Sequence, residues 1–241
     1  LTIVSFEMFS GKYLYPSLML VGLFYNAGVW ADKAMFWFYS GTGSDVIGPL
    51  RASLIYDIPV FLSYLSLIPG MAVFLVRMET DFVEHYSNFY DAVREGGSLA
   101  YIEDQRNQMV FVIRQGIFQI LKIQAISALL LMVTGAQIFA ALGISDLYLP
   151  LLKVQLIATA LQVVFLAIIN VFCYLDQRRM LVLLTGLFMV LNILFTGISL
   201  YLGPQFFGFG FLLALAVCVL LGLWLVNRKM GELEYITFML N

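Results

Sequence analysis

Hydrophobic residues fill long runs along this chain, and one polar passage, Arg77 to Arg114, divides them into two groups. The passage holds His85, the only histidine, together with eleven charged residues, so it belongs in water. Apolar runs at about 13–39, 54–76, 117–142, 151–174, 180–202 and 207–226 approach or exceed the roughly 20 residues that a helix needs to cross a bilayer core. The pattern predicts an all-α polytopic membrane protein: residues 1–241 form a single transmembrane lobe of six spans, and a helical loop at 77–116 lies outside the bilayer.

The polar passage has its own periodicity. Asp81 and Glu84 have the spacing of a capping box, and Phe82, Tyr86, Phe89, Tyr90 and Val93 share one helical face, which predicts an amphipathic helix from Asp81 to Glu95. Gly96 and Gly97 end it, and Ser98 caps a second helix that runs through Met109 to Val112 into the next span. The aromatic face fits two roles. It covers the ends of neighbouring helices, or Phe82, Tyr86, Phe89 and Tyr90 dock a cytoplasmic partner; the residues leave both open.

Polar groups inside the spans are the candidate chemistry, since ionisable and amide side chains are expensive in hydrocarbon and must face protein or a watery cavity. The first span carries Asn26, Trp30, Asp32 and Lys33, the second Asp57 near its outer end, and the fourth Gln155, Gln162 and Asn170. These eight are the candidate substrate-path residues. Prolines 59 and 69 are expected to bend or break the second span. Neighbouring residues on a helix point about 100° apart, so Lys33 is expected to pair across the groove with Asp57 rather than with Asp32.

Basic residues set the orientation. Ten fall on one side, among them Arg77, Arg94, Arg114, Arg178 and Arg228, against Arg51 and Lys153 on the other, which places both termini and the 77–116 loop in the cytoplasm. The tail from Met230 to Asn241 is too short to cross and is expected at the interface. Asp176, Arg178 and Arg179 read as a topology anchor, with an anionic-headgroup site as the sharper reading.

Composition agrees: 62% of residues are hydrophobic, 12% are charged and the mean hydropathy is +0.93. Soluble domains carry about twice that share of charge. Nucleic acid is excluded as a partner because no basic patch exists, and the bilayer itself is the first partner. Cys173 and Cys218 lie within apolar runs and read as packing residues. No catalytic set, no metal cluster and no cofactor motif is present in the sequence, and His85 receives no role. The chain opens at Leu1 without an initiator methionine and is expected to be a fragment.

Three stretches carry a resemblance. Residues 25–33 (YNAGVWADK), residues 78–97 with METDFVEHY and FYDAVREGG, and residues 174–179 (YLDQRR) resemble the PelG family of inner-membrane exopolysaccharide transporters, and the likeness extends over essentially the whole chain. The resemblance implies the fold of the multidrug, oligosaccharide-lipid and polysaccharide exporter superfamily, twelve helices in two six-helix lobes around a cavity, of which this chain is the C-terminal lobe and lacks the N-terminal one. It further implies passage of a polysaccharide rich in N-acetylated amino sugars across the bacterial inner membrane. The partners so implied are a cytoplasmic glycosyltransferase and other Pel-type membrane subunits. A lipid-linked oligosaccharide flippase or drug/cation antiporter of the same superfamily, and a membrane scaffold for the glycosyltransferase, are the alternatives.

Overall fold

The computed structural model describes residues 15–232, so Lys12 and the tail beyond Glu232 lie outside the described residues. Helix α1 (Pro16–Phe38) opens on a proline, whose missing N–H has no partner at a first helical position anyway. It ends in a turn in which Thr42 Oγ1 donates to the Phe36 carbonyl at 2.7 Å. Where the sequence pattern predicts only a turn, a small antiparallel hairpin follows, β1 (Ser44–Ile47) with β2 (Leu50–Ala52). Gly48, at φ +58°, makes the reversal, and Asp45 faces Arg51 in a 3.0 Å ion pair.

The predicted second span is broken. α2 (Leu54–Leu65) and α3 (Leu67–Val76) meet at Ser66, and the bend there is 40°. Pro69 supplies the reason: it has no N–H for the Leu65 carbonyl, and its ring clashes with that same carbonyl. Ser63 and Ser66 turn their own hydroxyls back onto nearby carbonyls, Val60 at 2.7 Å and Ser63 at 2.6 Å, which keeps these polar side chains paired inside the helix. Pro59 lies within α2 and breaks nothing, so only the second of the two prolines acts as expected.

The capping-box expectation is also corrected. α3 runs on through one π-helical turn, Arg77–Asp81, into α4 (Phe82–Arg94), so no helix starts at Asp81. Its backbone is already helical and its carboxylate takes the Arg77 guanidinium one turn back. The end of this helix is as read: Gly97 N–H bonds the Ala92 carbonyl, Gly96 sits at φ +72°, and Ser98 accepts from the Tyr101 N–H to start the next helix.

That helix, α5 (Leu99–Ala141), continues without a break from the polar passage into the third span, 43 residues or about 65 Å. α6 (Leu149–Tyr174), α7 (Arg178–Leu202) and α8 (Phe209–Gly231) complete the bundle. Each predicted run has its helix. By length and apolarity four of them qualify as membrane spans, those of α5 to α8, and the bent α2–α3–α4 rod makes a fifth if counted as one crossing. α1 is 23 residues long but falls outside that set, because Asn26, Asp32 and Lys33 dilute its apolar character.

Helix α6 is the most enclosed, with α2, α5 and α8 against it, while α1 lies along α7 and α7 along α8. Close approach of the last pair depends on Gly210: a Cβ there would stand 2.5 Å from the Thr196 nitrogen. Small residues play this part where helices meet without a hydrophobic driving force from water. Two ends result. The hairpin end carries β1–β2 and the turns before α6 and α8; the basic end carries α4, Asp176 and the last turn of α8.

Candidate functional site

Polar side chains collect inside the bundle toward the hairpin end. Asp32 on α1 is fully buried, and its carboxylate accepts from Tyr56 Oη of α2 at 2.5 Å and from Asn192 Nδ2 of α7 at 3.4 Å. Lys33 Nζ stands 3.4 Å from both Asp32 oxygens and donates to the Val29 carbonyl at 2.8 Å. The rings of Tyr64 and Phe211 lie 5.3 and 5.1 Å from the ammonium, each presenting the negative face of its quadrupole. A second tier holds the first in place. Gln155 of α6 donates to Tyr56 Oη at 2.8 Å, Asn192 also donates to the Gly28 carbonyl at 2.8 Å, and Thr196 donates to Asn192 Oδ1 at 3.0 Å.

The Lys33–Asp57 pairing is therefore wrong. Lys33 is long enough to curl back one turn to the Val29 carbonyl, which brings its ammonium to Asp32 on the same helix. Asp57 instead accepts from Trp37 Nε1, 3.0 Å to each oxygen, and from the Ser53 N–H at 2.9 Å, an anchor at the start of α2.

The other path candidates divide by burial. Asn26 and Trp30 lie one helical turn apart on the exposed face of α1, with the Trp30 ring 6.0 Å from that of Trp37; the Asn26 amide closes only onto the Gly22 carbonyl. Gln155 and Gln162 are interior. Gln162 donates to Tyr25 Oη at 3.3 Å, while its Oε1 has no hydrogen-bond partner. Asn170, toward the basic end of α6, donates to Glu79 at 3.4 Å across to the π-helical turn. Between these levels the rings of Tyr25, Phe165, Phe188 and Phe211 fill the bundle with centroid separations of 5.2 to 6.3 Å.

Of the four aromatics nominated for docking, Phe82 and Phe89 are fully buried within the chain. Phe82 and Tyr86 pack on Tyr174 at the end of α6, at 5.5 and 5.6 Å, and Tyr90 stacks beside Tyr86 at 4.7 Å. This face covers a helix end, and it leaves Tyr86 and Tyr90 as the half-exposed pair. Burial pushes both hydroxyls above the ordinary tyrosine range, and the Asp176 carboxylate adds to it. His85 Nδ1 meets Gln105 at 3.1 Å. Arg178 is satisfied by its neighbour Asp176 at 2.6 Å and lies 4.3 Å from the Tyr15 ring, an arrangement that ties two chain segments and needs no external anion.

Sequence reasoning missed Tyr56, Asn192 and Thr196. A mid-span asparagine was signal enough for Asn192, whereas Tyr56 reads as an ordinary apolar-run aromatic until its hydroxyl is seen on Asp32. At the hairpin end a cavity of about 630 Å³ opens among Tyr39, Ile55, Tyr148, Leu200, Gln205 and Phe209. Chemically, the network neutralises its own charge and hydrogen-bonds its carboxylate. Among the described residues no group of three His, Cys, Asp or Glu side chains gathers to hold a metal ion.

A family model described as "PelG: Putative exopolysaccharide Exporter (EPS-E)" covers residues 2–238. No curated protein and no solved structure matches the chain.

Proposed function

The chain belongs to the PelG family, and on that premise we propose that it is a six-span lobe of an exporter that carries exopolysaccharide across the bacterial inner membrane as part of a Pel-type synthase and export complex. In this reading both termini and residues 77–116 are cytoplasmic, a second six-helix lobe stands against the exposed face of α1, and a glycosyltransferase meets α4 near Tyr86 and Tyr90. The observation that carries it is the two-sidedness of α1. Its charged residues, Asp32 and Lys33, turn inward and are neutralised, while an amide and an aromatic, Asn26 and Trp30, remain on the open face. Aromatic rings and amides suit sugars, whose C–H faces stack and whose hydroxyls hydrogen-bond. A polymer passing along that face leaves by the aromatic cavity at the hairpin end.

Cation antiport within the same superfamily has one observation in its favour, the buried carboxylate of Asp32. The Lys33 ammonium already occupies the role a mobile cation would take, which favours export of a neutral or amino-sugar polymer. A pure scaffold would not need Asn26 and Trp30 exposed. The test is Asn26→Ala with Trp30→Ala in the full-length exporter, measuring extracellular polysaccharide and membrane protein level together. Severalfold loss of polymer at unchanged level is expected. Unchanged export at unchanged level would remove the α1 face from the path.

A further inference from the structure

At the basic end, α5 and α8 both pack against α6 and leave a groove of about 210 Å³ between them. Val110, Ile113 and Ile117 form one wall and Leu223, Val226 and Met230 the other, so the slot is apolar along its length. Its mouth is cationic. Arg114 Nη2 reaches across to Asn227 Oδ1 at 3.1 Å, and no carboxylate pairs with this arginine among the described residues. Arg228 and Lys229 follow on the neighbouring faces of α8, outside the lining, and among the described residues both pair with Glu232, at 3.1 and 3.0 Å. Trp224, more than half exposed, lies one turn before Arg228 with the guanidinium 5.8 Å from its ring.

We propose that this groove is a binding site for an anionic phospholipid, with one acyl chain along the six apolar side chains and the phosphodiester at Arg114. Two features separate the site from ordinary topology anchors. Anchors need only basic residues in the headgroup layer, whereas here Arg114 stands over an apolar slot too small for a rigid drug-sized ligand but open to a flexible chain. Basic pockets between membrane helices attract anionic headgroups, and an interfacial tryptophan marks the level at which the phosphate would lie. Charge complementarity favours lipid over an apolar peptide, and the slot favours lipid over free phosphate. The proposal is independent of what the chain transports.

The purified chain in detergent is titrated with phosphatidylglycerol or with phosphatidylcholine of the same acyl composition, and bound lipids are counted by native mass spectrometry. The first phosphatidylglycerol is expected to bind at least about fivefold more tightly, the factor that one basic residue near the surface contributes. Arg114→Gln, at an exposed position, should abolish most of that preference, and Val110→Phe, which fills the slot, should weaken both lipids. Inorganic phosphate at millimolar concentration should not displace bound phosphatidylglycerol. Equal affinities for the two lipids, a preference that survives Arg114→Gln, binding unchanged by Val110→Phe, or displacement by inorganic phosphate would each overturn the proposal.

Discussion

Toward the hairpin end, Asp32 and Lys33 are buried and held by Tyr56, Asn192 and the Val29 carbonyl; at the basic end, Asp91 with Arg94 and Arg228 with Glu232 pair in the open. The same chemistry, carboxylate against cation, thus has different consequences in the two places. An exposed pair exchanges one solvation for another and contributes little. A buried pair cannot lose one member without stranding the other in a low-dielectric medium. What the comparison teaches is where this chain tolerates change: its polar core fixes how α1, α2, α6 and α7 sit together, and its charged rim does not.

The strongest test of that contrast is Lys33→Met, which leaves Asp32 buried and uncompensated and should cost about 3–5 kcal/mol. Thermal midpoints in detergent should fall steeply, and adding Asp32→Asn should recover most of the loss. A single variant as stable as the parent would erase the distinction between the two regions. Next in size is Tyr56→Phe, which removes one hydrogen bond to a charged acceptor and should cost about 1.5–3 kcal/mol; a shift no larger than that of an exposed residue would mean that Asn192 and Lys33 suffice for Asp32. Smallest is Arg94→Gln, whose partner Asp91 is 3.5 Å away with both side chains exposed. Its midpoint should lie within the scatter of repeat measurements, roughly ±0.5 kcal/mol, and a larger change would show that α4 depends on its rim charges.

Much of the fold was legible because it is written in local chemistry. Ser98, Gly96, Pro16 and Gly203 act at the positions where a sequence reader expects helices to start and stop, and Pro69 breaks the span it occupies. The misreadings came from long-range or flexible partners. Asp81 looked like a cap because Glu84 stands three residues on, yet a continuous rod leaves no free N–H groups there and Arg77 takes the carboxylate. The directions of adjacent backbone positions point Lys33 toward Asp57, but its four-carbon stem reaches back to Val29 and Asp32 instead. Of the site, Asp32, Lys33 and Gln155 were identified from burial cost alone; their connection through Tyr56 and Asn192 requires knowing which helices touch.

The uninterrupted run from Leu67 through the π-helical turn to Arg94 has a mechanical consequence. Its 28 residues form a rod of about 42 Å, joined at Ser66 to the remainder of its span by a serine-lined bend rather than by a continuous helix. The bend at Ser66 is thus the pivot of the rod, and α4 is its far arm. A rotation of about 5° at Ser66 would move the Arg94 end by roughly 4 Å, as follows from the rod's length. Any such movement of α4 is shared between the bend, where Ser66 Oγ stands 3.4 Å from Thr159 Oγ1 of α6, and the contacts of Phe82 and Tyr86 with Tyr174 at the far end of that same helix.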